Sequence, residues 1–185
     1  MYKEFDVDTR HRFLPFLVVL FVGSGCAALI YEIVWFQMLQ LVIGSSAISI
    51  GVLLGTFMGG MCIGSVMLAR LISAQYHPLR VYAVLELGIG AIGLFLLFFL
   101  PVVGDFYIGH TTKAMFGHVL RGAICAVCLL PPTVLMGATL PAIARWTEAT
   151  PKGVSWLGFF YGGNIAGAVC GCLIAGFFLL RLYDV

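Results

Sequence analysis

The chain has 185 residues, 62% of them hydrophobic and only 10% charged, with a formal net charge of +2. A mean hydropathy of +1.08 excludes a water-soluble globular domain, and the small, dispersed charge gives no basis for a nucleic-acid partner. What remains is an all-α, multi-pass membrane protein whose first partner is the lipid bilayer.

Uncharged runs extend from Phe13 to Tyr31, Ile33 to Ala69, Leu87 to Gly104, Gly122 to Ala144 and Gly153 to Leu180. About 18 apolar residues suffice to cross a ~30 Å hydrocarbon core as a helix. The second run is too long for one crossing, and Gly44-Ser45-Ser46 breaks it. The prediction is therefore five crossings, at about 13–31, 47–69, 81–102, 122–143 and 156–180, after an N-terminal segment at 1–12. Between the first two, Glu32 to Ile43 contains Trp35, Gln37 and Gln40 and reads as a continuation of the first helix or a short interfacial helix.

Short loops rich in Lys and Arg stay on the cytoplasmic side. An inward N-terminus places Lys3, Arg10, Arg12, Arg70, Arg80, Arg145 and Lys152 inside and Lys113, Arg121 and Arg181 outside, seven against three. The expected location is a bacterial cytoplasmic membrane. Gly23-Ser24-Gly25-Cys26 has the outline of a lipoprotein cleavage site, but the apolar run continues through Ile30 with no polar mature region, so an uncleaved span is expected. Because the fifth crossing is followed directly by Arg181-Leu182-Tyr183-Asp184-Val185, a longer protein or bundle is expected to contain this unit.

Glycines and alanines recur every fourth residue at Gly51, Gly55 and Gly59, at Gly60 and Gly64, and at Gly163, Gly167, Gly171 and Ala175. Lipid tails are as apolar as leucine, so helices associate by close backbone contact, and these stripes read as helix-packing faces. Gly88-Ile89-Gly90-Ala91-Ile92-Gly93 matches a dinucleotide fingerprint but lies inside the third crossing, without a preceding strand, and also reads as packing. Cys26, Cys62, Cys125, Cys128, Cys170 and Cys172 all fall within spans. Cys125 and Cys128 have metal-like spacing but no histidine follows, so the thiols read as small groups filling helix interfaces. No metal or cofactor is expected.

Two carboxylates and one amide are harder to explain by packing. Glu86 lies six residues after Arg80, about 9 Å of helix rise into the membrane, where charge invites a counter-ion, a proton or water. Glu32 sits at the far end of the first crossing and Asn164 within the fifth. Pro131, Pro132 and Pro141 share one crossing, which must bend or open as a hinge, with Thr133 and Thr139 available to the freed backbone groups.

Four segments together resemble the membrane region of the bacterial fused spermidine-synthase-like proteins. They are Ala28-Leu29-Ile30-Tyr31-Glu32-Ile33-Val34-Trp35, the stretch Leu79 to Gly88, Pro131-Pro132-Thr133 through Pro141, and Tyr161-Gly162-Gly163-Asn164-Ile165-Ala166-Gly167-Ala168. The resemblance covers nearly everything beyond residue 13. It departs at Gln37, where a basic residue is expected, and at Gly162-Gly163, where alanines are common. It implies a bundle that is half of a major-facilitator-like one, followed in that family by a soluble aminopropyltransferase-like domain. These 185 residues contain no pattern for that domain, so the resemblance carries no catalytic residue here and implies a non-enzymatic chain.

Three functions follow, the third and weakest being an enzyme whose active domain was lost by truncation. The first is a membrane module that binds or moves a small cationic solute such as a polyamine, with Glu86, Glu32 and Asn164 as polar contacts. The alternative is a non-catalytic accessory or anchoring subunit whose glycine faces meet other membrane helices: the remainder of its own chain, a second copy, or a larger complex.

Overall fold

The structure is a computed structural model that describes residues 7–43, 47–71, 76–108, 115–147 and 153–182. Lys3, Lys113, Lys152 and the Gly44-Ser45-Ser46 break lie outside those residues. Among the described residues there is no strand: α1 is Val7–Ile43, α2 Ala47–Leu71, α3 Pro78–Ile108, α4 Met115–Thr147 and α5 Gly153–Ile174. A π-helical turn, Ala175–Leu179, and a last helical turn, Leu180–Leu182, follow α5. The fold is all-α, and among the described residues five helices are long and apolar enough to cross a membrane: Leu14–Met38, Ile50–Met67, Pro78–Phe99, Gly122–Thr147 and Ser155–Leu179.

The first span reaches further than 13–31. Residues 32–43 continue α1 without a break, so Glu32 lies six residues, about 9 Å of rise, before the end of the apolar segment at Met38. At α3, Pro78 occupies the first helical position, where its missing N–H costs nothing, and the His77 carbonyl accepts from Arg80 N at 3.0 Å and Val81 N at 3.2 Å.

The chain divides into two compact units. One contains residues 7–33 of α1 together with α5 and the turns that follow it. Leu14, Leu17, Phe21 and Gly25 are buried at helical spacing on one side of α1, while Phe16 and Val19 point outward. Phe21 meets Phe160 of α5 edge to face, ring centroids 5.5 Å apart, a geometry worth about 0.5–1.5 kcal/mol beyond burial.

The other unit contains residues 34–43 with α2, α3 and α4, and α4 packs against both α2 and α3. Trp35, Leu129, Pro132, Thr133, Ile143 and Thr147 are its most deeply buried side chains. In both units large apolar residues also face outward, among them Phe98 and Phe177, as lipid contact demands.

Glycines set the helix contacts. A Cβ on Gly167 would collide with the Val22 carbonyl and one on Gly171 with the Cys26 carbonyl, while Gly163 faces Val18 and Val22. Residue numbers rise together, so α1 and α5 run parallel. On the other unit Gly60 lies against Thr133 and Gly64 against Val134 and Ala138, so α2 and α4 are parallel too. Strict alternation of five crossings requires both directions, because helices an even number of crossings apart traverse the bilayer the same way.

Two expectations are narrowed and one, on the cysteines, needs correction. Among the described residues the Gly51, Gly55 and Gly59 stripe meets nothing within 4 Å of an added Cβ, and the close contact on α2 belongs to Gly60 and Gly64. Cys62, Cys170 and Cys172 are exposed rather than filling interfaces, and Cys26 and Cys128 are half-buried. Finally, α4 stays helical through Pro131, Pro132 and Pro141, so any hinge there bends rather than breaks. Proline deprives the carbonyls of Val127, Cys128 and Gly137 of their usual donors. The threonines do not replace them: Thr133 Oγ1 reaches the carbonyls of Leu129 at 3.0 Å and Leu130 at 2.9 Å, and Thr139 Oγ1 that of Met136 at 2.8 Å. Those bonds keep the hydroxyls satisfied in an apolar medium.

Candidate functional site

Of the three polar residues singled out from sequence, Asn164 and Glu32 belong to the first unit and Glu86 to the second. Asn164 is half-buried between α5 and α1, and its Nδ2 donates to the Phe21 carbonyl at 3.2 Å. Gly25 makes room for it: a Cβ there would run into the Asn164 carbonyl. The amide is spent on helix pairing, an interaction worth about 0.6 kcal/mol on average and up to ~2 in membranes. Gly25, read from sequence only as part of a cleavage-like motif, is what admits it. Its signal was its place one turn after Phe21 on the buried stripe Leu14, Leu17, Phe21.

Glu86 lies half-buried on α3, in the second unit, and is engaged by its surroundings. Gly88, one of the glycines of the fingerprint-like stretch, faces the Leu135 side chain, where an added Cβ would sit 3.1 Å from Cδ1. The stretch is helical, and among the described residues a Cβ on Gly90 would meet nothing within 4 Å, so the close contact belongs to Gly88.

Glu32 differs from both. It is half-buried within the Leu14–Met38 span and makes no hydrogen bond or ion pair among the described residues. It stands seven residues beyond Gly25, about 10 Å of rise past the Asn164 contact. Extending the register that pairs Val22 with Gly167 and Cys26 with Gly171 brings α5 at this level to the π-helical turn Ala175–Leu179. There the Leu180 N–H closes the wide turn on the Ala175 carbonyl. Wide turns of this kind inside helices are frequent at functional sites.

A carboxylate at this depth costs a few kcal/mol unless it holds a cation, a proton or water. The arrangement can therefore attract a compact positive group. Among the described residues no three His, Cys, Asp or Glu side chains come together, so the site offers one carboxylate rather than a metal cage. No family model, curated protein or solved structure matches the chain. Its function is therefore argued from its own residues.

Proposed function

We propose that the chain is a non-catalytic, multi-pass module of a bacterial cytoplasmic membrane, N-terminus inside, that binds a small organic cation at Glu32. The observation that carries this reading is a carboxylate inside an apolar span with no protein partner among the described residues. The resemblance of the segments around Tyr31-Glu32 and Tyr161 to Ala168 to spermidine-synthase-like membrane regions supports a polyamine as the solute class. Seven cationic residues on one side and three on the other support the orientation.

The test is equilibrium binding of radiolabelled spermidine to the purified chain in lipid vesicles, for the wild type and Glu32→Gln. The amide keeps size and hydrogen bonding but loses charge, so affinity should fall at least about tenfold, as loss of a charge-assisted contact implies, with the helix content unchanged. A wild type that binds no spermidine, or a folded Glu32→Gln that binds it equally, would defeat the proposal.

A specific observation favours the second reading as well. The open Gly51-Gly55-Gly59 face of α2 is shaped like the stripes that elsewhere in this chain seat a helix. An accessory or anchoring subunit would use such a face for assembly. Loss of a complex on Gly55→Leu, with spermidine binding absent in the wild type, would select that role.

A further inference from the structure

One side of α1 keeps a seven-residue period. Leu14, Val18, Phe21, Gly25, Ala28 and Glu32 alternate at spacings of four and three, the pattern that holds one helix face against a single partner. Along it Val18 faces Gly163 of α5, Phe21 meets the Phe160 ring, and Gly25 lies on the Asn164 carbonyl. Glu32 follows Gly25 by one such period, so it belongs to the face that α1 turns to α5.

On α5, Gly167 and Gly171 lie on the carbonyls of Val22 and Cys26, a step of four on both helices. The next step brings Ala175, which is fully buried, to the level of Ile30. Ala175 opens the π-helical turn beside Glu32. In an α-helix its carbonyl would accept from the N–H of Leu179, four residues on, but here the donor is Leu180, five on. Moving the ladder by one residue costs the helix one backbone hydrogen bond, which leaves one carbonyl of the turn without an intrahelical donor. The turn lies inside the Ser155–Leu179 span, where such a group needs a donor from elsewhere.

Two acceptors thus come to one level of the helix pair, a carboxylate from α1 and a neutral carbonyl from α5. Together they call for one positive charge that carries at least two N–H donors. A primary ammonium has three donors on a compact head, and a quaternary ammonium has none. A divalent metal ion would need more oxygen ligands, and among the described residues no three His, Cys, Asp or Glu side chains come together.

We infer that the solute enters this site by a primary ammonium end, with one N–H on the Glu32 carboxylate and another on the carbonyl that the π-helical turn of α5 leaves free. The inference rests on the cation reading of Glu32 and adds the class of head group that the site accepts. The wide turn makes the selection, because attraction to the Glu32 charge alone does not separate primary from quaternary amines.

The test is displacement of radiolabelled spermidine from the full chain in lipid vesicles by putrescine and by its fully N-methylated, bis-quaternary analogue. The two competitors share charge and spacing and differ in N–H donors. The quaternary analogue should displace spermidine at least about tenfold less well, as loss of charge-assisted hydrogen bonds implies. Equal displacement by both overturns the inference, and the Glu32 reading survives that result if Glu32→Gln still weakens spermidine binding. A wild type that binds no spermidine overturns both. Deletion of Gly176 takes the extra residue out of the turn and places Leu180 four residues after Ala175, so it should abolish the preference for putrescine while leaving Glu32-dependent binding. A deletion variant that keeps the full preference overturns the role of the turn, and where the deletion prevents folding the two competitors on the wild type decide.

Discussion

Gly167 lies directly on the backbone carbonyl of Val22, so that α1 and α5 touch main chain to main chain. In lipid, where burying apolar side chains drives nothing, this contact, the matching ones at Gly25 and Gly171, the Phe21 to Phe160 ring pair and the Asn164 to Phe21 hydrogen bond join the two helices.

A bulky residue at Gly167 should therefore separate them. Gly167→Leu is expected to lower the yield of folded protein extracted in mild detergent and to reduce its melting temperature, whereas the outward-facing Phe178→Leu should behave like the wild type. Asn164→Leu should have an intermediate effect, about 1–2 kcal/mol, because it removes one hydrogen bond between helices and adds branched bulk beside Gly25. Equal melting of Gly167→Leu and Phe178→Leu would refute the contact.

On α2 the same substitution should separate two faces of one helix. Gly64→Leu meets the Val134 carbonyl and should destabilise the unit of α2 and α4, and Gly55→Leu enters open space and should leave the isolated chain folded. Thermal unfolding of the two variants in identical detergent measures the difference. Greater loss from Gly55→Leu would mean that α2 presents its other side to α4.

The two membrane carboxylates should respond differently to neutralisation. Glu86 is engaged by its surroundings, so Glu86→Gln is expected to cost stability, about 1–3 kcal/mol for a charge-assisted interaction, with little effect on spermidine binding. Glu32→Gln should do the reverse. Isothermal titration and thermal melts on both variants give the comparison, and a reversed pattern would move the cation site to Glu86.

The proposed orientation, five alternating crossings with the N-terminus inside, predicts Ser73 in the cytoplasm and Thr111 outside, both beyond the described residues. In a cysteine-free background, an impermeant thiol reagent on intact cells should label Thr111→Cys and spare Ser73→Cys. The opposite pattern inverts the orientation.

Hydropathy alone determined the helical class and the number of long apolar helices among the described residues. A crossing needs only length and the absence of charge, and both are properties of the linear chain. Composition did not show which side of each helix faces inward. Phe16, Phe98 and Phe177 face outward as Phe21 and Phe160 face inward, because lipid and protein interior are equally apolar and the usual contrast between faces vanishes. Glycine spacing narrowed the choice on α5, where one stripe exists, and failed on α2, where Gly51-Gly55-Gly59 and Gly60-Gly64 compete. Only the tertiary structure chose between them, since close approach needs a complementary backbone on the facing helix, here Thr133 and Val134 of α4. The same holds for the polar residues. Sequence marked Glu32, Glu86 and Asn164 as costly to bury, while their partners, the Phe21 carbonyl for Asn164 and none among the described residues for Glu32, are set by helices distant in the chain.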